Sequence, residues 1–311
     1  MQPAGSGLHK GFSFGILSLL FRPRQHFLVS FSLYTITSMQ QFSLYPQEIV
    51  ASLWRNRYLI KKSIQREVLG RYRGSILGVF WSFFHPLFML AVYTFVFSVV
   101  FKARWPSASS DSKVEFAMVL FAGLMVYTVF AECINRAPGL ILANTSYVKK
   151  VVYPLEILPW ISLGSAAFHL SISFLVWLLA YLIFFGLPSI SIVLFPLVLI
   201  PLFLLTAGMS WWLASLGVYL RDVTQLVGII TTALLFLSPI FYAISSVPEN
   251  FQFIMHLNPL TPIIEQARVV LFGRGSLNIL LLLYCYALSL LIVCLGFAWF
   301  QKTRKGFADV L

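Results

Sequence analysis

Residues 74–101 read GSILGVFWSFFHPLFMLAVYTFVFSVVF, 28 positions without a charged side chain. A helix rises about 1.5 Å per residue and the hydrocarbon core of a bilayer is roughly 30 Å thick, so about 20 apolar residues suffice to cross it. This stretch is long enough, and four more charge-free windows follow, at 116–131, 157–220, 223–248 and 275–301. The window 157–220 has room for two helices and carries a turn signal at Gly186-Leu187-Pro188. The pattern predicts an all-α membrane protein with six transmembrane helices, at 77–101, 115–135, 159–185, 190–217, 225–246 and 277–300.

Composition agrees. The chain has 311 residues, 59% of them hydrophobic and only 10% charged, too few charges to keep a soluble domain of this size dispersed. A net charge of +12 would suggest nucleic acid as the partner of a soluble protein. Here anionic membrane lipids and the cytoplasmic bias of basic residues account for it more simply, and no nucleic-acid partner is expected. The three cysteines, Cys133, Cys285 and Cys294, fall in or beside apolar segments and read as buried thiols without a disulfide framework.

Lys and Arg set the orientation. With residues 1–75 inside, that side holds ten of them, joined by three in 136–150, Arg221 and three at the C-terminus, 17 in all. The other side holds five: Lys102, Arg104, Lys113, Arg268 and Arg274. Both termini are therefore expected in the cytoplasm. Residues 1–45 read as a poorly ordered extension with Met39 as an alternative start, and no small-residue cleavage site follows a compact apolar core.

Residues 250–264 are uncharged but would reach only about 22 Å as one helix. Asn258-Pro259 and Thr261-Pro262 break them further. The expectation is a re-entrant outer hairpin over 247–275, whose non-helical backbone must face protein or water.

Several segments could carry function. Residues 46–66 predict an amphipathic helix on the inner membrane surface, with Ile49, Leu53, Ile60, Ile64 and Val68 forming one stripe and Trp54 and Tyr58 at headgroup level. Arg55 and Arg57 sit on its other faces, suited to lipid or to a docking partner. Leu69-Gly70-Arg71-Tyr72-Arg73-Gly74-Ser75 then forms a basic loop. Arginine pairs bidentately with phosphate and glycine lets backbone amides approach an anion, so Arg66, Gly70, Arg71, Arg73 and Gly74 are candidates for holding a diphosphate headgroup. Ordinary cytoplasmic positive charge explains the same residues.

Inner loops 136–158 and 218–224 contribute Tyr147, Lys149, Lys150, Glu156, Arg221 and Asp222, which could pass force from a cytoplasmic partner or serve as solvated connectors. Tyr93, Phe97, Phe236, Phe241 and Tyr242 are candidates to line a path on which sugar rings slide. His85 and His169 lie in spans without metal-ligand spacing and read as packed histidines, and Glu132 is the one carboxylate adjoining a span interior. There is no metal site, no catalytic set and no G-x-x-x-x-G-K-[ST] loop with which this chain could hold ATP.

The run REVLGRYRGSILGVFWSFFHPLFMLAVYTFVFSVVF (66–101) resembles the opening of permease subunits from ABC type-2 polysaccharide exporters, which move O-antigen, capsular polysaccharide or teichoic acid. NTSYVKKVVYPLEILP (144–159), LNPLTPIIEQAR (257–268) and the ending FADVL match in the same order, so the resemblance covers roughly residues 40–311. It implies a permease that is not an enzyme, paired with a second copy of itself and with two copies of a separate ABC ATPase that bind the ATP and Mg. It also implies a lipid-linked glycan as substrate and a bacterial cytoplasmic membrane location. The interface helix and inner loops would meet the ATPase. The basic turn would receive the phosphates, and Asn258, Pro259 and Pro262 would belong to the outer gate. His85 before Pro86 departs from the Asn expected there. An exporter of a drug or free lipid is the nearest alternative; an intramembrane transferase on lipid-linked sugars would need acidic residues this chain scarcely has, and a receptor or scaffold would need soluble domains.

Overall fold

A long apolar segment in hydrocarbon can satisfy its peptide groups by bonding to itself, which a helix does. The computed structural model describes residues 45–100, 113–149 and 153–311, which fall in a unit running from Ser43 to Leu311, and these residues form helices and no strand. The expected extension, Lys102, Arg104 and Lys150 lie outside the described residues.

Two helices precede the bundle, α1 (Gln47–Arg55) and α2 (Arg57–Arg71). The expected single helix is interrupted at Asn56, whose side-chain amide donates to the Ser52 carbonyl (2.9 Å) and hydroxyl (3.2 Å) and so competes with the helix ladder. The apolar stripe also faces the protein. Ile49 and Val68 are buried, while Leu53, Ile60 and Ile64 pack on the core. Ile64 occupies the space left by Gly164, where a Cβ would fall 2.2 Å from its Cδ1. Trp54 and Tyr58 remain exposed.

The bundle comprises α3 (Trp81–Tyr93, continuing as a π-helix over Thr94–Val100), α4 (Lys113–Arg136), α6 (Leu158–Phe185), α7 (Phe195–Tyr219), α8 (Val223–Leu237) and α11 (Ile279–Thr303). A short α5 (Thr145–Lys149) lies between α4 and α6, and α12 (Phe307–Val310) ends the chain. Among the described residues, five helical stretches are long and apolar enough to cross a membrane: Gly78–Phe97, Val114–Gly139, Leu155–Phe185, Ile190–Tyr219 and Ile279–Val310. The expected span 225–246 is helical only as α8, whose 15 residues reach about 22 Å. It stops at Ser238, which takes extended geometry (φ −95°, ψ 148°) because Pro239 disfavours a helical residue before it.

α4 is the central helix. Ala117, Leu120, Ala122 and Val126 are fully buried. α7 and α11 make the closest crossing: a Cβ on Gly208 would lie 2.6 Å from the Ile292 carbonyl oxygen, and one on Gly296 2.2 Å from the Gly208 carbonyl oxygen. Backbone touches backbone, the arrangement small residues permit where lipid supplies no hydrophobic drive between helices. After α8 come α9 (Glu249–Leu257) and α10 (Leu260–Phe272), joined at Asn258-Pro259. The second expected break does not occur. Pro262 sits in the first turn of α10, where a backbone N–H has no intrahelical partner to lose. α10 is enclosed by α4, α7 and α11, with Ile264, Ala267 and Leu271 fully buried.

Charges concentrate at the two ends. At the end carrying α1 and α2, buried Glu156 accepts from Arg304 (2.6 Å) and Ser52 (3.1 Å), its carbonyl accepts from the Trp211 indole (3.0 Å), and Arg304 also donates to the Tyr153 carbonyl (3.0 Å). At the far end Arg274, which follows α10, pairs with buried Glu115 at the start of α4.

Replacing Gly296 by Val should lower stability by about 2 kcal/mol through overpacking. Gly228→Ala, at an open helical position, should cause no loss. A melt followed with a thiol-reactive dye reads both, because Cys133 and Cys285 are buried in the folded protein.

Candidate functional site

Helix α2 runs through Gly70 to Arg71, so Gly70 belongs to a helix rather than to the expected loop. The turn is shorter, over 72–75, and Gly74 (φ +84°) supplies the left-handed conformation it needs. The turn sets Arg71 and Tyr72 at the mouth of a cavity of about 740 Å³ between α3, α4 and α6. Beyond the mouth its walls are mostly apolar, including Met89, Phe121, Leu124 and Met125, and it ends near Tyr93.

A compact charged cluster occupies that mouth. Arg71 pairs with Glu132 through one guanidinium nitrogen, and a second lies 3.1 Å from His169 Nδ1. The same Nδ1 is 3.3 Å from Glu132 Oε2, while His169 Nε2 is 3.3 Å from the Tyr72 hydroxyl. Arg136 lies 3.8 Å from Glu132 and pairs with Glu67 at 2.6 Å. Burial pushes the Tyr72 phenol above its ordinary pKa, so it stays a neutral donor and acceptor beside the imidazole. Of the other expected headgroup residues, Arg66 donates to the Tyr147 hydroxyl (3.0 Å), away from the mouth. Arg73 is exposed.

The five candidate path aromatics come together. Tyr93 lines the cavity and lies 6.5 Å from Phe97, which stacks on Phe241 at 5.6 Å, and Phe241 stacks on Phe236 at 5.7 Å. Tyr242 donates to the Phe236 carbonyl at 2.6 Å. A ladder of rings thus continues where the cavity ends.

The coupling candidates divide into two groups. Arg55, Arg57, Lys149, Arg221 and Asp222 are exposed at the end bearing α1 and α2. Arg55 pairs with Glu48 (2.8 Å), Arg57 caps the Trp54 carbonyl (2.8 Å), and Lys149 donates to the Leu311 backbone oxygen. Tyr147 stacks on Tyr153 at 4.2 Å and joins α2 to α5 through Arg66. Glu156 is interior, committed to Arg304 and Ser52.

At the far end Asn258 is buried and donates to the Ser238 hydroxyl (2.8 Å), while its carbonyl accepts from the Leu260 N–H (3.0 Å). Arg268, counted from sequence as an outer-loop charge, is buried as well. It donates to the carbonyls of Pro239, Ile240 (2.9 Å) and Val119 (3.2 Å) and pairs with Glu265 (3.1 Å). Gly123 leaves it room, since a Cβ there would stand 2.7 Å from the guanidinium.

The family model for the ABC-2 type transporter matches residues 58–272, which include the turn, the cavity walls and the hairpin. The chain belongs to the ABC-2 type transporter family. It is similar to the O-antigen export system permease protein RfbA of Klebsiella pneumoniae, 28% identical over 243 residues, 78% of this chain and 90% of that protein. It is likewise similar to RfbA of Myxococcus xanthus, 24% over 263 residues, 84% of this chain and 98% of that protein. The polysialic acid transport protein KpsM of Escherichia coli matches at 21% over 242 residues, 78% and 92% of the two chains. Membership of the ABC-2 family, with several apolar helices, makes this an integral membrane protein and implies an ABC ATPase partner.

Within this ABC-2 domain, sequence reasoning did not join His169 and Glu132 to Arg71, nor assign Arg268 to the interior. A usable signal existed. A lone His, Glu or Arg inside or beside an apolar segment needs a partner there, and the candidates were few.

Arg268→Met should destabilise by about 3 kcal/mol or more, because several buried carbonyls lose a donor at about 1–3 kcal/mol each. Glu265→Gln, removing only its half-exposed partner, should cost about 1 kcal/mol or less. The same thiol-dye melt separates the two.

Proposed function

We propose that this chain forms the membrane path of an ATP-driven exporter for a lipid-linked polysaccharide. One observation carries the reading: a cavity with Arg71 at its mouth, next to exposed Arg73 in the adjoining turn, leads to a ladder of aromatic rings. The chemistry suits a substrate with a phosphorylated head and a sugar chain. Guanidinium groups bind phosphate bidentately, while ring faces offer weak, tolerant contacts to sugar C–H groups, which a moving polymer requires. The similarity to O-antigen export permeases and a polysialic acid transport protein supports the same class of cargo.

Arg71 and Arg73 receive the headgroup phosphates, with Gly74 allowing the turn; Arg66 serves the joint with Tyr147. Two copies of this chain work with two copies of an ABC ATPase, which holds the ATP and Mg. Exposed Arg55, Arg57, Lys149, Arg221 and Asp222, together with Lys150, meet that partner. Its closure pushes on α1, α2 and α5, and the tie through Tyr147, Arg66 and Glu156 carries the push into α6, α7 and α11. Asn258, Pro259 and Pro262 belong to the outlet. The protein sits in the bacterial cytoplasmic membrane with both termini inside, as 17 of its 22 Lys and Arg residues favour.

Arg71→Ala combined with Arg73→Ala should cut glycan at the cell surface at least tenfold, with normal protein level in the membrane. Undiminished export would remove the headgroup assignment.

A further inference from the structure

The arginine at the cavity mouth is already paired. Glu132 sits on the Arg71 guanidinium, where a phosphate oxygen would have to bind. Glu132 neutralises Arg71 without a ligand, and the neighbouring Arg136 is itself paired with Glu67. A singly charged anion that displaced Glu132 would replace one negative charge with another. A multiply charged one could engage Arg71 and also reach exposed Arg73 two residues away.

His169 gives the displaced carboxylate a place to go. Its Nδ1 lies within reach of both Arg71 (3.1 Å) and Glu132 (3.3 Å), and cannot serve both with one proton. With the proton on Nε2, Nδ1 accepts from Arg71 and Nε2 donates to the Tyr72 hydroxyl. With the proton on Nδ1, the ring donates to Glu132 and Nε2 accepts from Tyr72. The two tautomers correspond to Arg71 held and Arg71 released, and Tyr72 satisfies the ring in both. Arg136, 3.8 Å from the carboxylate, is the second fallback.

We propose that Glu132 is a stand-in anion that gates Arg71, so that the mouth admits multiply charged diphosphate or phosphomonoester headgroups and rejects singly charged phosphodiester lipids. The inference rests on the headgroup reading above and adds the residue that sets its selectivity. The need is physical: the surrounding membrane is rich in phosphodiester lipids, and an unguarded arginine pair would bind them.

The test uses the full chain in nanodiscs and radiolabelled farnesyl diphosphate as probe, in phosphatidylcholine alone or with one fifth phosphatidylglycerol. For the native protein, phosphatidylglycerol should weaken probe binding less than twofold. Glu132→Gln, nearly isosteric and uncharged, should bind the probe about tenfold tighter in phosphatidylcholine, and phosphatidylglycerol should then weaken it at least fivefold. If Glu132→Gln does not yield monodisperse protein, Glu132→Asp, which draws the carboxylate back by one methylene, should shift both values the same way by a smaller factor. Unchanged affinity and unchanged lipid sensitivity in the variant, with Arg71→Ala still weakening the probe, would overturn the gate and leave the headgroup assignment standing. Arg71→Ala without effect would overturn both. Inorganic pyrophosphate should compete at least a hundredfold more weakly than unlabelled farnesyl diphosphate; equal competition would overturn the lipid-borne source of the anion.

Discussion

Hydrocarbon offers a peptide group no hydrogen-bond partner, and the structure follows from where the chain can and cannot meet that condition with a helix. Along most of its length it can. At Ser238-Pro239 it cannot, and the carbonyls set loose there are taken up by Arg268, while Asn258 takes the Ser238 hydroxyl. The broken end of α8 is therefore fastened to the joint before α10 and to α10 itself. A buried arginine is costly in isolation, but here each nitrogen of the guanidinium has an acceptor, and Gly123 on α4 gives up its side chain to make the room.

The opposite end is fastened by the same means. Glu156 gathers Ser52 from α1, Arg304 from the end of α11 and the Trp211 indole of α7, the last through its carbonyl. Arg66 and the stacked pair Tyr147 and Tyr153 join α2 to the loop bearing α5. The short surface helices are thus tied to the long ones through polar contacts of fixed geometry. Between the two ends, α7 and α11 meet backbone to backbone at Gly208 and Gly296.

Much of the fold was legible because a bilayer reads composition almost directly. Charge-free length located five of the six expected spans, Gly186-Leu187-Pro188 located the turn after α6, and Asn258-Pro259 located the joint between α9 and α10. Proline rules were less transferable: Pro262 has the composition of a breaker but falls where a helix tolerates it, which depends on where the helix begins. The amphipathic stripe of residues 46–66 was expected on the inner membrane surface, but periodicity states which face is apolar and not what covers it. Gly164, about 100 positions away from Ile64, supplied the cover.

The sequence by itself determined class, helix content and the crowding of basic residues toward one side, since these depend on local composition and on length against bilayer thickness. Only the tertiary structure decided which scarce charges meet: Arg71 with Glu132 and His169, Arg304 with Glu156, Arg274 with Glu115. Such pairs join residues 61 to 159 positions apart, and a sequence with ten acidic residues and 22 basic ones permits many pairings. The choice among them rests on which helix faces are brought together, and helix packing depends on the shapes of several elements at once.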